Sequence, residues 1–349
     1  MSLDEFLEEW NNPSPYVRVQ TSGSTGAPKP MLVEKARMLA SARRTNDFLG
    51  LKPGDTALLC MSLDYIAGKM MVVRALERGL RLVCVEPSGH PLRHTGDWHQ
   101  CAIFNGKVRA CPQCVALNDQ TPLSFAAMVP LQVYNSLQVP EEKERLKQIR
   151  HLIIGGGAID DALASELKTF PNAAWSTYGM TETLSHIALR RLSGPEASDW
   201  YTPFPSVTLS LSDEGTLIID APEVCSEPLV TNDIAELSTL HSQSFRILGR
   251  RDNIICSGGL KIQAEQLERE LRPHFSSPFL ITKRPDEKFG EIVVLLTEGS
   301  TDEARQLCER ILPRFHQPRA YLHVAHIPLT ETSKSSRHEA ERLARENLS

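Results

Sequence analysis

Residues 21–29, TSGSTGAPK, gather hydroxyls, glycines and a lysine into one short segment. Gly23 and Gly26 let backbone N–H groups approach phosphate oxygens. Thr21, Ser22, Ser24 and Thr25 can donate hydrogen bonds to them, and the Lys29 ammonium neutralises charge. The segment is not a Walker A loop, because Gly, four residues, then Gly-Lys-Ser/Thr occurs nowhere in the chain. Its chemistry suits a polyphosphate, but not of the P-loop ATPase kind.

Other residues point to the same ligand, each with a plainer reading beside it. Tyr178, Gly179, Met180, Thr181 and Glu182 combine an aromatic plane, a flexible glycine, a hydroxyl and a carboxylate. A carboxylate beside a triphosphate needs a cation between them, so Glu182 suits a Mg²⁺ ligand. The same residues equally suit a helix start, where Thr181 caps and the Glu182 carboxylate favours the helix dipole. Gly155, Gly156 and Gly157 could admit an adenine ring against bare backbone, or make a strand-to-helix turn. Asp233 could accept from two ribose hydroxyls, or serve as an Asx-turn residue. Lys334, taken alone, is a solvated loop charge.

The elements that must position these residues follow from hydrophobic periodicity. Residues 3–10 form an amphipathic helix, and 34–49 repeat Met38, Leu39, Ala42 and Phe48 at helical spacing. Strand 56–61, helix 66–76 and strand 80–85 make a parallel α/β unit. Residues 87–122, rich in His, Cys, Gly and Pro, interrupt this rhythm. It resumes with helix 141–148, strand 151–154, helix 160–169 and the segment 174–178. Segments 207–211 and 216–220 flank Ser-Asp-Glu-Gly as a hairpin, and 247–255 is strand-like but broken by Gly-Arg-Arg-Asp. Beyond it the pattern becomes α+β: helices 264–271, 302–312 and 337–346, strands 279–282, 291–297 and 321–324. The fold class is α/β, with domains 1–251 and 252–349.

At 349 residues the chain is long enough for two cores. A net charge of −5 gives no reason to expect nucleic acid or an anionic membrane as partner. No apolar run approaches a membrane span and the first ten residues are acidic, which predicts a cytoplasmic protein. Eight cysteines in this length do not make a disulfide framework. Cys60, Cys84 and Cys256 are expected as reduced core residues. Cys111 and Cys114 have the spacing of a metal knuckle, with Cys101, His94 and His99 upstream; a reduced irregular loop competes with zinc there.

The order of these segments resembles the adenylate-forming superfamily of acyl- and aryl-CoA ligases and carrier-protein-loading adenylation domains. The matching stretches are TSGSTGAPK (21–29), GGGA (155–158), STYGMTET (176–183), TND (231–233), ILGRRDNIICSGGLKIQAEQLE (247–268) and IPLTETSKSSR (327–337). Within the superfamily, MSLDYIAGKMMVVRAL (61–76), MVPLQVYNSL (128–137) and YGMTETLSHIALR (178–190) look most like the o-succinylbenzoate–CoA ligases of menaquinone biosynthesis. The resemblance implies an adenylate-forming fold with a large α/β amino-terminal domain, shortened at its start, and a small mobile α+β domain. The implied substrates are ATP, coenzyme A and an aromatic carboxylic acid, with Mg²⁺. Residues 21–29 would hold the β/γ phosphates and Glu182 the Mg²⁺. Asp233 and Arg250 would fix the ribose, and Lys334 would bridge carboxylate and α-phosphate. Asp252 falls at the hinge, and Ser257, Gly258 and Gly259 at the pantetheine channel.

The chain also departs from the family's pattern. Pro30 and Ser333 stand where glycines are usual, Asn232 replaces the usual glycine before Asp233, and Tyr65 replaces a gate histidine. The phosphate segment begins at residue 21, whereas most members of the family carry a sizeable subdomain before it that helps build one wall of the acyl pocket. The expectation is that a second subunit, as in a homodimer, supplies that wall or that the pocket is shallower. Lys69, four residues after Tyr65, is a candidate anchor for a second carboxylate, and His186 a candidate lining residue. A surface lysine and a packed histidine are the plainer readings. Arg190 and Arg191 are expected to face solvent. Competing functions are an adenylation enzyme that loads a carrier protein and a truncated nucleotide-binding relative without turnover. Joint retention of Lys29, Glu182, Asp233, Arg250, Asp252 and Lys334 argues against the latter.

Overall fold

The computed structural model describes residues 1–20, 30–93, 99–104, 107–110, 122–157, 159–239, 244–329 and 335–347. A nine-stranded sheet forms the centre. Its strands Thr56–Leu59, Arg81–Cys84, Phe125–Met128, His151–Ile154 and Ala173–Met180 run parallel. Alternation along these strands assigns their faces. Ala57, Leu59, Phe125, Ala127 and Ile153 pack with Met38, Ala42, Met70 and Val73, which come from helices Lys35–Phe48 and Ile66–Arg78. Leu58, Ala126, Met128, Leu152 and Ile154 pack on the other face with Val133, Leu146, Leu163 and Leu167. Helices on both faces of a parallel sheet are what such doubly buried apolar strands require. The expected unit at 56–85 is therefore present, with its strands parallel from Thr56↔Arg81 to Leu59↔Cys84.

The stretch 87–122 is less irregular than its composition suggested. Strands His99–Phe104 and Lys107–Ala110 add antiparallel to the edge beyond Arg81–Cys84. Strand Phe125–Met128, four residues long and entirely apolar, has no periodicity to reveal it. The other edge turns antiparallel after Met180, through Ser185–Arg191 and Thr202–Pro203.

Strands Thr208–Leu211, Thr216–Asp220, Leu229–Leu237 and Phe245–Arg250 form a second, antiparallel sheet. It ends at Arg250, and a single 3-10 turn, Arg251–Asn253, leads into Ile254–Ser257 of a third sheet. That sheet also buries both faces. Ile255, Ile281, Val293 and Leu295 pack with Leu267, Leu271, Ala304 and Cys308, and Leu280, Val294 and Leu296 pack with Ala340 and Ala344. None of these residues belongs to the core clusters of the large sheet. Among the described residues no helix is long and apolar enough to cross a membrane.

Candidate active site

The segment at Tyr178–Glu182 is a strand and a turn, which corrects the reading of Thr181 as a helix cap. Strand Ala173–Met180 reverses through residues 181–184 into Ser185–Arg191, with Met180 opposite Ser185 and Gly179 opposite His186. Thr183 closes the turn: its hydroxyl accepts from Met180 N–H at 2.9 Å and donates to Ser185 O at 2.6 Å. Leu184 takes a left-handed φ of 62°, unusual for leucine, and is held there by burial. Gly179 is required by sterics. A Cβ there would sit 2.5 Å from His186 Cα and press on the Ser185 carbonyl. The result leaves Thr181 buried and the Glu182 side chain exposed, while the Glu182 carbonyl accepts from Cys225 Sγ at 3.4 Å.

Tyr178 joins this turn to the second sheet. Its ring lies 5.1 Å from that of Phe245 and 5.8 Å from that of Tyr201, and its hydroxyl donates to Asp233 Oδ2 at 2.6 Å. Burial, then the Asp233 charge, pushes the phenol's pKa upward, so it stays protonated and keeps donating. Asp233 stands opposite Arg250 in the ladder, with Nη1 3.8 Å from Oδ1. Arg250 Nη2 lies 3.4 Å from Asp252 Oδ2, which accepts from Asn232 Nδ2 at 3.2 Å. Four residues named from the sequence thus form one polar cluster.

Gly155, Gly156 and Gly157 open directly beside it, because Ile154 is paired with Ser176 in the parallel ladder. Gly155 donates to Met128 O at 3.0 Å and lies so close to the Thr177 hydroxyl that a Cβ would overlap it. Gly156 has φ +79°, and a Cβ on Gly157 would lie 3.4 Å from Pro130 Cγ. These turns leave the carboxyl ends of parallel strands, where α/β folds bind ligands. Residues 21–29 and Lys334 lie outside the described residues, although Gln20 and Pro30, which flank the former, are paired across a two-stranded ribbon.

Behind the turn lies a buried polar group that the sequence reading did not identify. Arg74, in helix Ile66–Arg78, is the largest fully buried side chain. Nη2 donates to Ser185 Oγ at 2.7 Å, and Nε has no partner. No carboxylate among the described residues pairs with it, and burial pulls its pKa from 12.5 down to about 9. Arg44, by contrast, has Glu223 Oε2 at 3.7 Å. His186 links the cluster, with Nδ1 3.2 Å from Ser185 Oγ and Nε2 3.0 Å from Thr45 Oγ1. Since Ser185 already accepts from Arg74, its proton points to Nδ1, and the histidine donates through Nε2. Burial, with Arg74 and Arg44 nearby, holds the imidazole neutral.

Other named residues are accounted for differently. Lys69 is neither a surface lysine nor an open anchor: Nζ donates to Arg18 O at 2.5 Å, lies 3.9 Å from Glu9 Oε2 and sits over the Phe6 ring. It ties its helix to the first helix, Leu3–Asn11. Tyr65 is half-buried at the helix start. Arg190 pairs with Asp199 at 3.1 Å, and Arg191 stacks on Trp175 at 4.8 Å, so neither simply faces solvent. Ser257, Gly258 and Gly259 form a tight hairpin; φ of +57° and +86° demands the glycines. Cys60 is buried, with its thiol pushed up to about 12, but Cys256 is exposed rather than in the core. Cys111, Cys114 and His94 lie outside the described residues, Cys101 and His99 fall in strand His99–Phe104, next to the edge of the large sheet, and no group of three potential metal ligands occurs among the described residues. A cavity of about 530 Å³, lined by Phe48, Trp175, Arg191 and Trp200, lies at the start of strand Ala173–Met180, away from this cluster.

Comparison with known proteins agrees with the architecture. The model of the AMP-binding enzyme family matches residues 6–228. The 2-succinylbenzoate–CoA ligase of Bacillus cereus is 22% identical over 368 residues, covering 97% of this chain and 72% of that protein. A crystal structure of an acyl-CoA synthetase (AMP-forming)/AMP-acid ligase II-like protein from Dyadobacter fermentans is 30% identical, with TM-score 0.62, covering 96% of this chain and 91% of that one. The o-succinylbenzoate coenzyme A synthetase of Bacillus subtilis, in complex with ATP and magnesium ion, shares the fold at TM-score 0.72 and 19% identity, covering 92% of this chain and 69% of that one. The chain belongs to the AMP-binding enzyme family and, with it, to the adenylate-forming acid–CoA ligase superfamily.

Proposed function

We propose that this chain uses ATP to join an aromatic acid to coenzyme A in two steps, releasing pyrophosphate and then AMP, and that the acid carries a second carboxylate. o-Succinylbenzoate is the acid that fits best. One observation carries the second part: a wholly buried guanidinium, Arg74, stands behind the Thr181–Glu182 turn with no carboxylate of the described residues beside it. A buried charge left uncompensated is strongly unfavourable, so an anion arriving with the ligand accounts for its presence. The 2-succinylbenzoate–CoA ligases among the relatives support the same reading.

In the first step the acid's carboxylate oxygen bonds to the α-phosphorus and pyrophosphate leaves. Two anions must meet, so fixed positive charge is needed there. Residues 21–29 hold the β/γ phosphates, Lys334 bridges carboxylate and α-phosphate, and Asp233 with Arg250 fixes the ribose. Tyr178 holds Asp233 in place through its 2.6 Å bond. Gly155, Gly156 and Gly157 lie against the adenine. Glu182, exposed on its turn, would hold Mg²⁺, which offsets repulsion between its carboxylate and the triphosphate. In the second step the thiol sulfur of coenzyme A bonds to the acyl carbon and AMP leaves. For this, residues 252–349 turn about Asp252, and Ser257, Gly258 and Gly259 border the thiol arm.

Pyrophosphate release with ATP and a panel of aromatic mono- and dicarboxylic acids, with and without coenzyme A, tests the reading. Release that requires a dicarboxylic aromatic acid, with AMP freed on adding coenzyme A, is expected. Equal turnover of benzoate and succinyl-aromatic acids would overturn the second carboxylate.

A further inference from the structure

The last helix, Arg337–Asn347, begins with a cation, where the helix dipole disfavours one. That local conflict has a specific compensation. Arg337 Nη2 and Nη1 donate to the two Glu268 carboxylate oxygens at 2.7 and 3.0 Å, and Nη1 donates to Ile281 O at 2.7 Å. Glu268 Oε1 also accepts from Ile281 N–H at 2.8 Å, so the pair occupies both backbone groups of one strand residue. The side chains are 24% and 9% exposed, which makes this a largely desolvated, two-pronged bond rather than a surface ion pair. Glu265 Oε1, 3.8 Å from Arg337, also accepts from Asn253 Nδ2 of the hinge turn. Just upstream, Ser336 N–H donates to Pro328 O at 2.8 Å and Leu329 bridges Ser335. The described residues on either side of 330–334 are thereby held to each other, and through Arg337 to the sheet and the turn Arg251–Asn253.

We propose that Arg337 is a positioning residue for adenylate formation: it mounts the segment bearing Lys334 on the carboxyl-terminal sheet. This inference rests on the role given to Lys334 above. Displacing a charged group by about 1 Å at a reacting centre lowers the rate by about 10²-fold. In the full-length protein, Arg337→Met should lower kcat of adenylate formation by about that factor, with KM for ATP and acid unchanged. Thioester formation from supplied acyl-adenylate, which does not use Lys334, should be unaffected. Arg337→Lys, which keeps the charge but not the fork, should lie between. Should Arg337→Met not fold, Glu268→Gln carries the same comparison, since it keeps the shape and weakens the fork. Equal loss in both half-reactions, or no loss in either, overturns the inference. Lys334→Ala separates the two levels. Undiminished adenylation in that variant overturns the underlying reading, whereas loss there with none in Arg337→Met overturns only this one.

Discussion

Replacing Arg74 by methionine should make the ligand-free protein more stable while impairing its use of the acid. The guanidinium's pKa falls from 12.5 to about 9 on burial. At about 1.4 kcal/mol per pH unit this corresponds to about 5 kcal/mol against the charged form, an upper bound. The bond to Ser185 returns about 1.5–3 kcal/mol. Methionine keeps the apolar stem among Met70, Met71 and Val73, so Arg74→Met should gain about 2 kcal/mol, within the range seen when buried charges are replaced by hydrophobic residues. With substrate the sign reverses. Leaving the acid's distal carboxylate buried without its cation costs about 3 kcal/mol, so KM for a dicarboxylic acid should rise by about 10²-fold. That for a monocarboxylic acid should hold or fall. Urea midpoints without ligand and pyrophosphate release with paired acids measure both sides. A variant that is less stable and keeps the same acid preference would refute the reasoning, because Arg74 would then be structural.

Two other outcomes follow from the same region. Gly179→Ala forces a Cβ against Ser185 and His186 backbone, which cannot yield as a side chain can; a loss of about 1–3 kcal/mol or more is expected in the unfolding midpoint, with weakened ATP binding. An unchanged midpoint would mean that the hairpin is looser than drawn. Acidification should destabilise the protein through His186, whose folded pKa lies well below 6.5. The unfolded chain takes up a proton near pH 6.5 that the folded one refuses. Its stabilising share is therefore full above that pH and declines below it, by up to about 1.4 kcal/mol per pH unit. His151, lowered to about 4, acts in the same sense. Urea midpoints between pH 7 and 5 should fall less steeply in His186→Gln than in the parent; identical slopes would show that His186 is not the group responsible.

Much of the fold was legible because burial imposes periodicity. Strand His151–Ile154, helix Ala264–Leu271 and the break at Arg251–Asn253 fall where alternation, helical spacing and the Gly-Arg-Arg-Asp interruption put them. Strands of four apolar residues carry no such pattern, which is why Phe125–Met128 escaped. Strands His99–Phe104 and Lys107–Ala110 escaped for another reason. His99–Phe104, HQCAIF, does not alternate polar with apolar, and Lys107–Ala110 is only four residues long, too short for alternation to stand out. The turn at residues 181–184 was read as a possible helix start because Thr and Glu suit both. Thr183, whose hydroxyl bonds forward and back across the turn, decides it, and that is a tertiary fact.

The site divides along the same line. Tyr178, Asp233 and Arg250 were named singly; the ladder pairing of Asp233 with Arg250 and the Tyr178 hydroxyl's bond to Asp233 bring them together. Lys69 was named as the anion anchor because it lies one turn from Tyr65, yet its ammonium faces the first helix and Arg18 O, and Arg74 was not considered. A signal for Arg74 was present all the same. It stands among Met70, Met71, Val72, Val73 and Ala75, in a run apolar on every side of the helix, where solvent cannot reach a charge. A cation in such a run must have an anion, and a scan for acidic residues at helical spacing from position 74 finds only Glu77 nearby. Glu77 instead meets Asn46, Arg43 and Arg78. With no carboxylate beside Arg74 among the described residues, the anion proposed for it above is one that arrives with the ligand.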